Sequence, residues 1–338
     1  MTNRIIATLA ATTTAAALLA AQPAVALENG DTVRIIVGFS PGGGFDTNAR
    51  LVAPYVETAF AEAGYEDITV VVENMPGGAG TIGTTSVYTA DPDGTTLGIM
   101  EPADATWQER LLGTAFTVGE FNFLGQQSTE HYGLVVRSDF EAQDFESLVA
   151  KSQDTPILMG TPGRSSYSGR IFPVLLQQSL ADAGIDIKFD YLNLAGTGDV
   201  MASMRRGEAE AFMSGINPIA KFVEEGHGKF LFAFGDDRFP DAQEVLGLTD
   251  EQFAGLDDAA MTRRVYVAPP GVDAELLSTL RDVFEAALTD EGFVAETTQA
   301  GFPVTFMDGE ATQAAIGNLT GLADRYLEVV QASLDAAQ

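Results

Sequence analysis

VRIIVGFSPGGGFDTNAR, from Val33 to Arg50, sets a pattern that the rest of the chain repeats. Val33 to Phe39 is an apolar, β-branched run and reads as a buried strand. Ser40-Pro41-Gly42-Gly43-Gly44 cannot prolong it, because proline lacks a ladder donor and the glycines permit positive φ and close approach by a ligand. Asp46 stands where a helix N-cap belongs. The spacing beyond it predicts a helix that buries Val52, Tyr55, Val56, Ala59, Phe60 and Ala63, with a kink at Pro54. Strand, side-chain-free loop and helix start bring free backbone N–H groups and the positive end of a helix dipole to one spot, which suits an anion. Working outward, Ile68 to Glu73 is a second strand-like run. It enters Asn74-Met75-Pro76-Gly77-Gly78-Ala79-Gly80-Thr81-Ile82-Gly83 and then a helical stretch through Tyr88. Two such turns, one strand apart, can hold two ends of one anion or one carboxylate from two sides.

The chain has 338 residues, enough for two domains. Its start reads as a cleaved export signal: Arg4, an Ala- and Leu-rich run from Ile5 to Ala20, and Ala24-Val25-Ala26 as the cleavage site. Residues 1–26 are therefore set apart from the fold, and a periplasmic location is expected. No later segment reaches the roughly 18–20 apolar residues of a membrane span. Cysteine is absent, which excludes thiol catalysis and Cys-ligated metals and leaves an exported chain to rely on its core. With 18 Lys and Arg against 48 Asp and Glu, the net charge is −30, and nothing neutralises phosphates in bulk, so nucleic acid is not a partner. The acids are spread along the chain and read as a solvated acidic surface, as in a saline habitat. That charge repels an anionic ligand at long range, but salt screens the field over about 8–10 Å, so local amide dipoles can dominate inside a cleft.

Beyond the second turn, Asp91-Pro92-Asp93-Gly94 is a turn and Thr95 to Met100 a third strand. The βαβαβ order predicts a doubly wound sheet. Trp107 and Leu111-Leu112 read as helix packing. A second α/β unit begins with the strand His131 to Val136 and a helix from Asp144 to Lys151. The strand Ile157 to Met159 enters a hydroxyl-rich turn, Gly160 to Gly169. Strands at Ile187 to Leu192, Glu210 to Met213 and Phe230 to Phe234 follow, with helices opening near Thr197 and after Ser214. Asp236 to Ala260 reads as an acidic loop. Arg264 to Gly271 is a strand leaving the unit, and Asp273 caps an amphipathic helix carrying Leu276, Leu277, Leu280, Val283, Phe284, Ala287 and Leu288 on one face. A last helix starts near Glu310. Two crossings, near residues 130 and 265, predict a cleft with a hinge. The units are expected at 27–130 with 265–338, and at 131–264.

RIIVGFSPGGGFD, VVVENMPGGAGTIG and DPDGTTLGIM, with GTGDVMASMRRGEAEAFMSG after Tyr191 and APPGVDAELLSTL near the end, resemble the extracytoplasmic solute receptors of the Bug family. These are the substrate-binding proteins of tripartite tricarboxylate transporters, and the similarity runs through nearly the whole chain after the signal. The resemblance implies an α/β, two-lobed periplasmic-binding-protein fold of the type II, Venus-flytrap kind. It implies a monomer that closes its lobes on a small organic carboxylate, a di- or tricarboxylate or an aromatic acid. The ligand would be delivered to the integral-membrane subunits of a transporter, without a cofactor or a metal. By the same resemblance the first lobe holds the carboxylate at Ser40, Gly43, Gly44, Phe45 and Asp46 and at Gly78, Ala79, Gly80 and Thr81. The second lobe contributes Thr161, Arg164, Ser165, Ser166, Tyr167, Thr197 and Ser214. Two positions depart from the family pattern. Phe45 replaces a small residue, and Ser214 falls where many members have Asp, which weakens the case for a ligand with an amino group.

Individual residues leave alternatives open. Phe45 either walls the ligand or packs on a neighbour. Asp46 caps its helix and fixes the loop, or touches ligand, although a bare carboxylate repels an anion. Arg164 either pairs with a second ligand carboxylate or lies on the surface. Tyr167 and Tyr191 line the cleft or are half-buried core, and His131 touches ligand or sits on the surface. Gly78 to Gly83 fits G-x-G-x-x-G, but the motif follows the second strand, which argues against a dinucleotide. There is no G-x-S-x-G elbow, no H-E-x-x-H and no His partner for the serines near Ser166, so catalysis is not expected. An exported enzyme acting on a carboxylate, and a sensor serving a signalling partner, are the alternative functions. A side chain at Gly44 or Gly80 is expected to block the ligand and leave the fold mostly intact.

Overall fold

The computed structural model describes residues 27–164, 166–194 and 196–336. The expected signal, residues 1–26, and Ser165 lie outside the described residues. Strand β1 (Thr32–Val37) leads through the first glycine turn into α1 (Gly44–Glu62), and β2 (Thr69–Asn74) leads through the second into α2 (Thr81–Tyr88) and β3 (Thr96–Met100). The three strands are parallel in the order β2-β1-β3, with Val33 opposite Val70 and Ile35 opposite Leu97. This is the expected βαβαβ unit. Helix α1 buries Val52, Val56, Ala59 and Phe60 against the sheet and runs unbroken through Pro54, while Ala63 is exposed.

Helix α3 (Pro102–Leu112) buries Trp107 as expected of helix packing, but Leu112 is 57% exposed, which corrects the same reading for it. Strand β4 (Asn122–Arg137) has 16 residues and starts well before the expected His131. At about 3.3 Å per residue it is roughly 50 Å long, and it belongs to two sheets. After α4 (Phe145–Asp154), the strands β5 (Ile157–Thr161), β6 (Phe189–Asn193) and β7 (Ala211–Gly215) alternate with α5 (Phe172–Asp182), α6 (Thr197–Arg205) and α7 (Ile216–Glu224). Strand β8 (Gly228–Ala233) completes this second unit.

The run read as a loop contains two helices, α8 (Ala242–Leu246) and α9 (Asp250–Ala259). Their apolar residues Leu246, Leu248 and Leu256 reach the core, and Thr249 and Gln252 form a capping box that starts α9. Strand β9 (Met261–Ala268) returns between β3 and the first half of β4, antiparallel to both. Helices α10 (Ala274–Thr289) and α11 (Glu291–Gln299), the short β10 (Met307–Asp308) and α12 (Gly309–Ala336) close the chain. As expected, Asp273 caps α10, accepting from Glu275 N, and of the apolar face read from the sequence all but Leu277 is buried.

The result is a two-lobed α/β fold. One sheet holds β2, β1, β3, β9, the first half of β4 and β10; the other holds β8, the second half of β4, β7, β5 and β6. Tyr266, Phe284, Val52 and Phe60 pack inside the first lobe. A second apolar cluster is continuous from Trp107 and Phe123 to Leu134, Phe172 and Leu256, and so runs from one lobe into the other. No helix among the described residues is long and apolar enough to cross a membrane.

Candidate functional site

Each turn expected to hold ligand leaves the carboxyl end of a parallel strand, where open α/β sheets bind ligands. In the first turn, Gly43, not Asp46, is the N-cap of α1: its carbonyl accepts from Thr47 N (2.9 Å), and no side chain caps the helix. Among the described residues no acceptor meets the amides of Gly44, Phe45 and Asp46. Asp46 sits inside the first helical turn, 4% exposed, so its assignment as N-cap is corrected. It accepts from Gly42 N (2.8 Å), Arg50 Nε (3.0 Å) and Asn74 Nδ2 (2.9 Å), which ties the first turn to the end of β2. Burial pushes its carboxyl up, but these bonds to Arg50, Gly42 and Asn74 outweigh it and hold the pKa below the ordinary value. Asp46 thus fixes the loop with both oxygens engaged.

A buried network missed in the sequence braces the same helix start. Asn48 Nδ2 donates to Gly44 O (2.7 Å), Gln127 Nε2 donates to Asn48 Oδ1, and Tyr266 OH donates to Gln127 Oε1 (2.8 Å). All three side chains are fully buried. Phe45 packs on neighbours: its ring stacks on Phe39 at 4.6 Å and lies under the Arg264 guanidinium, with Phe302 on another side of that cation. A Cβ on Gly44 would come 3.1 Å from Arg264 Nη2 and 3.4 Å from the Phe302 ring. The space over Gly44 is therefore lined by side chains.

The second turn is more contorted. Gly77, Gly78, Ala79 and Gly80 all have positive φ, from 53° to 136°. Ala79 carries a Cβ at φ 53°, a strained conformation for which Gln108 compensates by donating to its carbonyl (2.8 Å). Thr81 Oγ1 lies 2.7 Å from both Gly78 O and Gln108 Oε1, so Gln108 frames this turn. The amides of Gly78 and Ala79 have no acceptor among the described residues. A Cβ on Gly80 would meet Phe39 at 3.2 Å at a φ of 97°. The expectation that a side chain there leaves the fold intact is corrected.

In the second lobe, Thr161 is buried and its hydroxyl donates to Gly163 O (2.8 Å). Ser166 accepts from Gly169 N and starts the helical turn that leads into α5. Tyr167 is 1% exposed and its hydroxyl donates to Ala259 O (3.0 Å), so the ring is core. The Arg164 guanidinium, on an exposed residue, donates to Leu334 O, and Arg170 donates to Ser333 O (2.6 Å); both grip the last turn of α12. Tyr191 is partly buried beneath Arg170, whose guanidinium carbon lies 3.6 Å from the ring centre. Thr197 begins α6 behind the N-cap Gly196, and Ser214 is buried at the end of β7, paired in register with Gly133.

The turns meet in two pairs. Asp104 Oδ1, on α3 beside the second glycine turn, accepts from Tyr167 N in the third turn (2.8 Å). Asp104 and the 4%-exposed Glu101 border a narrow crevice with Ala79 and Gly80. Burial raises both carboxyls, and for Glu101 the neighbouring Asp104 charge adds to it, against hydrogen bonds from Asp104 N and Arg263 N. The pair is therefore less charged than two free acids, which lessens its repulsion of an anion. The first glycine turn meets the Ser214 turn through residues to which the sequence reading gave no part in the site. Arg264 Nη2 donates to Glu130 Oε2 (2.8 Å), and Asn217 N, at the start of α7, donates to Glu130 Oε1 (2.8 Å). Asn217 Nδ2 reaches Gly301 O (2.8 Å). A charged pair inside apolar strands was the available signal.

A family model described as "Tripartite tricarboxylate transporter family receptor" matches residues 61–322. The "UPF0065 protein in gbd 5′ region" of Cupriavidus necator is 23% identical over 286 residues, covering 82% of each chain. Among solved structures, the periplasmic binding protein BugD aligns at TM-score 0.70 and 21% identity, over 88% of this chain and 97% of that one. MatC from Rhodopseudomonas palustris, solved with bound malate, aligns at TM-score 0.65 and 20% identity over 90% and 99%. An R. palustris protein solved with adipate aligns at TM-score 0.70 and 16% identity over 89% and 97%.

Proposed function

The chain belongs to the tripartite tricarboxylate transporter receptors, and from that premise we propose that it captures a small organic carboxylate in the periplasm and hands it to the membrane subunits of such a transporter. The observation that carries this reading is the first turn: three acceptor-free amides at the start of α1, braced by Asp46 and the Asn48–Gln127–Tyr266 network. Preorganised amides at a helix N-terminus hold an anion without reorganisation. The second glycine turn, with free amides on Gly78 and Ala79, takes the other end of the ligand or the far side of the same carboxylate.

The lobes, 27–130 with 265–338 and 131–264, move about crossings in β4 and at the start of β9. Ligand favours the closed arrangement by the contacts it adds there, which is population shift by differential affinity. The second-lobe turns read the remainder of the ligand with backbone groups, because Thr161, Ser166 and Tyr167 spend their side chains on the protein. Malate in MatC and adipate in its relative support an aliphatic dicarboxylate as the first class to try.

A thermal-shift screen of carboxylates in moderate salt tests the reading. A ligand at 100 times its dissociation constant stabilises by about 2.7 kcal/mol, or several degrees. A shift confined to carboxylates, with the acid recovered chemically unchanged, is expected. A shift with sugars, cations or nucleotides and none with any carboxylate sinks the proposal.

A further inference from the structure

Arg264 is in an electrostatically unusual place. Its cation lies against the positive end of α1, where Gly44 alone, by lacking a Cβ, lets Nη2 approach. Cations are favoured at the other end of a helix. The side chain is 5% exposed, and among the described residues, of its five N–H donors the hydrogen bonds engage only Nη2, toward Glu130, and Nε is buried without a partner. Three acceptor-free amides of α1 sit on the same spot. Two donor groups of the same sign, a buried guanidinium and a half-buried helix start, face a common space with donors to spare, and what satisfies both is an anion. Glu130 is a partial counter-ion only, since its other oxygen serves Asn217 N and its carboxyl packs against Gly215 in the second-lobe turn.

Resting on the receptor reading, we infer that Arg264 is a specificity-determining residue: a ligand carboxylate bridges the α1 amides and the Arg264 guanidinium, taking it over from Glu130. The aliphatic carbons of the ligand lie along Phe45 and Phe302, whose rings flank the guanidinium at 5.4 and 5.1 Å. The site selects small organic acids with a charged carboxylate over amides and esters of the same shape. Exchange of Arg264 from Glu130 to ligand also couples the first glycine turn to Asn217, and so couples binding to the second lobe.

Glu130→Gln separates this role from a structural one. If Arg264 and Glu130 only brace each other, losing either weakens binding alike. If Glu130 competes with the ligand, Arg264→Gln and Glu130→Gln act in opposite directions. Malate and adipate are titrated calorimetrically into wild type, Arg264→Gln, Arg264→Lys and Glu130→Gln. Whichever acid the wild type binds is expected to lose tenfold or more in Arg264→Gln, less in Arg264→Lys, and to gain severalfold in Glu130→Gln. Arg264→Gln within twofold of wild type, or Glu130→Gln weakened, overturns the inference while the receptor reading stands. Should Arg264→Gln fail to fold, the sign for Glu130→Gln decides alone. A wild type that binds neither acid nor any other carboxylate defeats both.

Discussion

Asn48 shows how much of the binding turn depends on a single buried side chain. Asn48→Ala leaves the buried Gln127 Nε2 without its acceptor and removes the side-chain amide that braces Gly44 O. An unpaired buried polar group costs about 1–3 kcal/mol, so a urea midpoint lowered accordingly is expected, together with weaker carboxylate binding; an unchanged midpoint would show that water replaces the amide. Ala79 makes the opposite case. Its left-handed backbone costs roughly 1 kcal/mol, and Ala79→Gly is expected to raise the melting temperature by about 2 °C, with a fall counting against strain at this residue. Asn48 carried no signal in the sequence, and Ala79 was read there as part of a ligand-binding turn, not as a strained position. Glycine turns and apolar runs are local patterns, so the three strand–turn–helix starts could be placed from the chain alone. Asn48, Gln127, Glu130 and Arg264 meet only because β4 and β9 pair in one register, with Ser128 opposite Arg264 and Glu130 opposite Thr262. That register lies between segments more than a hundred residues apart and leaves no local trace. Asp46 was misplaced for a related reason. A helix whose N-cap is glycine gives the sequence no polar cap, and the next acid takes the assignment.

At the scale of the element, α3 carries the pH dependence. Glu101 and Asp104 bind protons more tightly folded than unfolded, with pKa values pushed up to about 8 and about 7. A raised folded pKa means the folded state holds more protons, so their contribution is complete below the ordinary values of 4.5 and 3.8 and is lost progressively as pH climbs from there through about 7 and about 8. Arg263 and Tyr132 face the same pair and do not change its sign. Denaturant midpoints are expected to fall between about pH 5 and about pH 8 in wild type and to flatten in Glu101→Gln; a wild-type midpoint that rises over that interval would exclude the pair as the cause. The acidic segment that became α8 and α9 belongs to this scale too. Its charges read as loop, yet Val245, Leu246, Leu248, Phe253 and Leu256 recur at helical spacing, and Thr249 with Gln252 signals a helix start. Charge composition outweighed periodicity, and periodicity was the better guide because burial follows the face, not the average.

For the whole molecule, a net charge of −30 on one chain favours expansion. Raising sodium chloride from 10 to 150 mM, which contracts the screening length to about 8 Å, is expected to raise the melting temperature and tighten carboxylate binding together. Insensitivity of both would locate the charges too far apart to matter. Opening of the lobes meets a separate constraint. Helix α12 starts beside β4 in the first lobe, bonds Arg110 through Asp324, and ends in the grip of Arg164 and Arg170 from the second. Between its pairing with β4 and those arginines it contains Gly317 and Gly321, exposed positions where a Cβ would touch nothing within 4 Å. Glycine costs a helix about 1 kcal/mol relative to alanine, so this rod is anchored at both ends and softened in its middle. Under the lobe motion proposed above, it is a leaf spring laid across the hinge. Stiffening the spring with alanine at both glycines would leave every ligand contact in place and change the tempo of capture and release.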